Sequence, residues 1–230
     1  MKKLILFSLP ISILGIFIGS DDPILPFLQG TWVEPLFYSL NNGNSIVFNL
    51  SCGYVVSIFL WYILVYLPEV KKRKIIRENI SQRYKSFKEN TICNLLYAAD
   101  SHSTDSNLVN ELCDHNQFKE YFSGENIQRW YDALNGLDEN GRYIRDIHID
   151  LKLLYKDIEY VLNNIDFSEE GSHSLFVTLQ ENVFKAINYA DCHYDHVKKL
   201  SAFLYTILAS WSLVDGKMTE DIIQKMIDQI

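Results

Sequence analysis

Between Leu4 and Val70 the sequence has no lysine and no arginine. An empty stretch of that kind, closed by basic residues on both sides, is what the positive-inside rule predicts for chain held in or across a membrane. Cysteine is also scarce. Four in 230 residues do not resemble a secreted disulfide framework, and Cys93, Cys113 and Cys192 are read as reduced thiols. Basic residues stay sparse after Lys88, where residues 89–230 carry 11 basic and 24 acidic side chains, so direct nucleic-acid binding is not expected. Nucleophile elbows, phosphate loops, dinucleotide fingerprints and the His-Glu-x-x-His zinc pattern are all absent. No catalytic residue is therefore named, and no cofactor is expected. Strand alternation and hairpin signals are missing too, which leaves an all-α chain.

What is present is dominated by Ile46–Leu67, 22 residues without a charge. At 1.5 Å per residue this run reaches about 33 Å, enough for a bilayer core. Residues 4–19 form a second, shorter apolar run after Lys2 and Lys3. As a signal peptide it lacks a good cleavage site, since a cut after Ser20 leaves Ile18 at −3 and a cut after Gly19 leaves Phe17, where small residues are preferred. The sequence thus predicts a retained transmembrane hairpin over 1–67, with spans at about 4–19 and 46–67 and an extracytoplasmic loop at 20–45. The loop carries Phe27, Trp32, Phe37 and Tyr38, and Trp61, Tyr62 and Tyr66 supply the aromatic belt at the opposite face.

Two stripes of small or polar residues suit helix packing in lipid: Ser8, Ser12, Gly15 and Gly19 on the first run, and Asn49, Gly53 and Ser57 on the second. They are expected to pack the spans on each other, or alternatively to join protomers. Pro68 is expected to break the second span. A basic amphipathic helix over 68–99 should follow, with Lys71, Lys72, Arg73, Lys74 and Arg77 as a collar for lipid headgroups.

Residues 100–230 read as an acidic cytoplasmic helical domain. Helical pieces are expected at 107–122 and 125–135, then a turn bracketed by Asn135-Gly136 and Asn140-Gly141. Heptad seams run from Ile144 to Ile165 and from Val197 to Val214, with a helix over 173–189 between them. These seams suit either an internal core or self-association. Gly216 should end the last long helix and Thr219 cap a short one from Ile222 to Ile230. Cys113, His115, Cys192 and His196 are zinc-type ligands, but their spacing matches no standard module, and a polar helix start is the plainer reading.

The segment YLPEVKKRKIIRENISQRYKSFKENTICNLL over 66–96, placed after an N-terminal hairpin and before a motif-poor helical domain, resembles the small two-span membrane effectors of bacterial anti-phage systems. It is most similar to those encoded beside retron reverse transcriptases. The likeness is architectural over the whole chain and sequence-like only over 66–96. It implies an inner-membrane protein, harmless until infection, that then damages the membrane and arrests the cell; the basic residues flanking the Lys/Arg-free stretch separately predict that both chain ends are cytoplasmic. Its implied partners are membrane lipids and either further copies of itself or proteins of the same defence system. The alternative is a membrane-anchored scaffold or receptor whose bundle recruits a protein partner. An anchored metal-dependent enzyme is a third reading.

Overall fold

The computed structural model describes residues 2–20, 29–41, 43–99, 105–167, 170–188, 194–209, 211–212, 216–217 and 221–230. Among the described residues all regular structure is helical except one short antiparallel bridge, in which Trp211 pairs with Lys217 and Ser212 with Gly216. The all-α class is therefore what the periodicity predicted. The chain divides into two compact units, Met1–Lys72 and Arg73–Ile230.

The first unit contains α1 (Lys2–Gly19), α2 (Glu34–Leu40) and α3 (Ser45–Trp61). Helix α2 was not expected from the sequence. Pro35 sits in its first turn, where a missing N–H costs nothing, and Phe37 packs on Phe17 of α1 at 5.2 Å between ring centroids. Asn44 caps α3, its side chain accepting from the Ile46 and Val47 amides.

Pro68 does not break the helix. The chain runs on as a π-turn, Tyr62–Tyr66, into α4 (Leu67–Ala99). The Leu67 amide reaches back five residues to the Tyr62 carbonyl. A proline in a regular α-helix presses on the carbonyl four residues before it; the wide turn just upstream accommodates that ring, and the helix continues.

Among the described residues one helical run, Ser45–Ala99, is long and apolar enough to cross a membrane. The apolar part of α1, Phe7–Gly19, covers only about 20 Å at helical rise and falls short of a hydrocarbon core. The expected two-span hairpin is thus corrected to one full-length apolar helix, with a shorter apolar helix beside it.

The second unit begins within α4 and continues through α5 (Ser106–Leu112), α6 (His115–Phe122), a 3₁₀ turn (Gly124–Asn126), α7 (Ile127–Glu139), α8 (Gly141–Asn164), α9 (Glu170–Ile187), α10 (Tyr194–Leu208) and α11 (Ile222–Asp228). The apolar face of α4, with Ile76, Ile80, Tyr84, Phe87, Ile92 and Leu95, is buried in the core of this unit. It is not a separate juxtamembrane face. Both seams are consumed in the same core: Ile147, Leu151, Leu154, Ile158 and Val161 from α8, and Val197, Leu200, Leu204 and Ile207 from α10. Among the described residues these seam positions face the bundle's own core, which is the first of the two uses the spacing offered.

Several expected boundaries move. Asn135-Gly136 lies inside α7, where Gly136 sits so close to the Ala98 carbonyl that a Cβ would collide with it. The turn is at Asn140 alone, whose side chain accepts from the Arg142 amide at the start of α8. Helix α10 ends at Leu208 instead of running to Val214. The cap of α11 is Asp221, accepting from the Gln224 amide at 2.9 Å; Thr219 and Val214 lie outside the described residues.

Candidate membrane interface and polar interior

Helix α1 packs antiparallel on α3. Tyr54 donates its hydroxyl to Ser8 Oγ at 2.5 Å, Gly15 faces Ser51 and Val47, and Gly19 faces the Phe48 backbone and the Asn44 carbonyl. A Cβ at Gly19 would lie 2.6 Å from the Phe48 nitrogen, so only glycine allows this approach. Ser12 turns its hydroxyl back to the Ser8 carbonyl at 3.0 Å, the usual way a helical serine satisfies itself in apolar surroundings. Ser8, Gly15 and Gly19 of the first stripe thus lie against α3, while Ser12 bonds within its own helix.

The second stripe does not. The face of α3 turned to α1 carries Asn44, Val47, Phe48, Ser51 and Tyr54. Asn49, Gly53 and Ser57 are exposed, and a Cβ at Gly53 would meet nothing within 4 Å. The reason is rotational. Residue 49 lies about 100° around the helix from residue 48, so a regular spacing identifies a face without saying which neighbour it serves.

The apolar surface of α3 is left open. None of the most apolar 18-residue window of the Ser45–Ala99 run is buried, and Leu50 of α3 and Leu64 of the π-turn keep 74% and 69% of their surface. Trp32, in the segment between α1 and α3, is 87% exposed, while Phe27 lies outside the described residues. Around the π-turn Tyr66 packs on Tyr62 at 5.4 Å and on Trp61 at 5.8 Å, gathering the expected aromatic belt into one stack.

The collar is heterogeneous. Lys71, Lys72 and Arg77 stand exposed. Arg73 donates from Nη2 to the Asp166 carbonyl at 2.7 Å, and Lys74 approaches Glu78 at 3.8 Å in an exposed pair of small energetic weight. Arg73 therefore serves the bundle instead of a headgroup.

Inside the second unit one carboxylate collects partners from several helices. Asp221 Oδ1 accepts from the Tyr84 hydroxyl at 3.1 Å, and Oδ2 accepts from Lys88 Nζ at 3.1 Å and faces His115 Nε2 at 3.4 Å. His115 Nδ1 lies 3.1 Å from the Leu208 carbonyl, and Lys88 sits over the Tyr84 ring. Burial first, and then Asp221, raise the Tyr84 phenol well above its ordinary value. Sequence reasoning missed this cluster, whose only local signal was an aspartate before an apolar helix.

The cluster bears on the metal candidates. Both nitrogens of His115 are engaged, and burial pushes the Cys113 thiol up, away from the thiolate a metal needs. His196 is half-buried on α10, and Cys192 lies outside the described residues. Among the described residues no group of three or more His, Cys, Asp or Glu side chains is placed to hold a metal ion.

These features define a helical protein with an unburied apolar helix and an acidic bundle. The chain matches no model of a known family, no curated protein and no solved structure.

Proposed function

We propose that the protein is an integral membrane protein of the bacterial inner membrane and that it acts there as an effector, perturbing the bilayer and arresting an infected cell. The observation that carries the membrane part is the unburied apolar window of the Ser45–Ala99 run: a core helix of that composition would be covered by its own chain, and this one is not. In this reading α3 crosses the bilayer, α1 enters beside it with local thinning, and both chain ends are cytoplasmic. The effector part rests on the resemblance of 66–96 and of the architecture. The exposed Asn49, Gly53 and Ser57 would then serve assembly of several copies, since an amide facing lipid is costly until it finds a partner.

A specific observation favours the second reading, a membrane-anchored scaffold. On the outer face of α8, Ile149, Leu153 and Tyr160 are exposed, and Phe184 of α9 is 54% exposed while packing on Tyr155. Exposed apolar side chains on an otherwise acidic bundle suit a protein partner.

Induction of the chain in bacteria, alone and with its genomic neighbours, separates the two. Loss of membrane potential and growth arrest under at least one condition supports the effector. Polarised, growing cells throughout would leave the scaffold. Reporter fusions after Gly43 and after Ile230 should report opposite sides of the membrane, and a shared side would end the topology proposed.

A further inference from the structure

Helices α4 and α8 border a cleft of about 520 Å³ within the second unit. Asn90, Asn94 and Tyr97 line it from α4, and Tyr143, Asp146 and Asp150 from α8. The two asparagines are one turn apart on their helix, as are the two aspartates on theirs, so each pair shares a face. Asn90 Nδ2 donates to Asp150 Oδ1 at 3.3 Å. The one cation on the lining, Arg142, reaches only to 3.9 Å from Asp146 with its side chain 81% exposed. The nearby Arg83 is committed to Asp157 at 2.7 Å. Burial pushes the Asp150 carboxyl above its ordinary value, the Asn90 bond and Arg83 act against this, and the Asp146 charge adds to it. The cleft therefore holds two carboxylates whose charge the protein compensates poorly.

We propose that this cleft binds a small organic amine of the diamine or polyamine class, with its ammonium groups on Asp146 and Asp150 and its methylene chain along Tyr97 and Tyr143. Three considerations select that class. The volume falls in the range of small-molecule pockets, roughly 300 to 1,000 Å³, whereas a single ion or water takes only about 30 Å³. Two carboxylates against one exposed guanidinium leave the lining net negative, so an anion is repelled and a neutral ligand leaves the carboxylates as they were. Tyrosine rings attract ammonium groups across their faces and cover apolar methylenes with the same surface.

The test is calorimetric titration of the full-length protein in detergent micelles with spermidine, at ionic strength held constant with sodium chloride. Saturable binding to one site is expected. The double variant Asp146→Asn, Asp150→Asn should weaken it by about tenfold or more, and Tyr97→Ala by about threefold. Arg142→Gln, which removes the competing cation, should tighten it several-fold, a gain that misfolding cannot imitate. Asp138→Asn with Glu139→Gln removes the same charge from the exposed end of α7 and should change nothing. The site is overturned if no saturable heat appears, if the α7 control weakens binding as much as the cleft variant, if Arg142→Gln fails to tighten, or if magnesium at equal concentration displaces spermidine completely.

Discussion

Asp221 shows how much one residue can organise when its partners come from distant parts of the chain. Its carboxylate takes bonds from Tyr84, Lys88 and the Gln224 amide, and faces His115. Removing it leaves the partly buried Lys88 without its counter-charge and α11 without a cap, so Asp221→Ala is expected to cost about 2 to 3 kcal/mol in chemical denaturation. Asp221→Asn, which keeps an acceptor, should cost less. His148 on α8 carries a pH dependence of definite sign. Burial lowers its pKa and Lys152 adds to that, against the carbonyls of Ile144 and Ala186. The unfolded chain then binds the proton more readily. The stabilisation is complete above the unfolded value of 6.5 and declines as pH falls through and below it. Denaturation midpoints between pH 7.5 and 5 should drop in the parent and drop less in His148→Gln. Neither residue was legible beforehand. The partners of Asp221 lie more than a hundred positions away except for the local amide, and a histidine among seam residues reads the same whether it faces in or out.

Elements were easier to read than the faces they present. The period of Ile147 through Val161 and of Val197 through Ile207 identified helices and their buried sides correctly, because apolar spacing reports burial directly. Spacing of glycine and serine reports only closeness, not with what. That is why Gly15 and Gly19 meet α3 while Gly53 meets nothing. The two kinds of glycine make opposite predictions. With Ser8→Cys and Tyr54→Cys in a Cys52→Ser background, a thiol-specific cross-linker should join α1 to α3 in the parent and in Gly53→Leu, and fail in Gly19→Leu. If the exposed stripe assembles copies, Gly53→Leu alone should shift native-gel mobility to smaller species. Identical behaviour of both variants in both assays would remove the distinction. The continuation through Pro68 was illegible for another reason. A proline's effect depends on the turn before it, and no sequence signal marks a π-turn.

At the scale of the molecule, the second unit buries a core drawn from every one of its helices. A chain of residues 73–230 is therefore expected to be soluble without detergent, helical by circular dichroism and cooperative in thermal melting, whereas any chain keeping α3 should require detergent. Aggregation of the 73–230 chain would show that its core is incomplete. The charge distribution divides the sequence into a stretch lacking basic residues, a basic segment over 68–99 and an acidic body over 100–230, whereas the contacts gather the chain into Met1–Lys72 and Arg73–Ile230.

That boundary has a practical consequence for anyone dissecting the protein with enzymes. Lys71, Lys72, Arg73, Lys74 and Arg77 make it the densest cluster of trypsin-type targets in the chain, yet all five lie within one helix. Proteases take extended chain into their clefts, and a hydrogen-bonded helix must first unwind. Limited digestion should therefore leave this junction intact and cut first after Lys217, the one Lys or Arg placed outside a helix, and a fragment map would report a single piece where the chain has two.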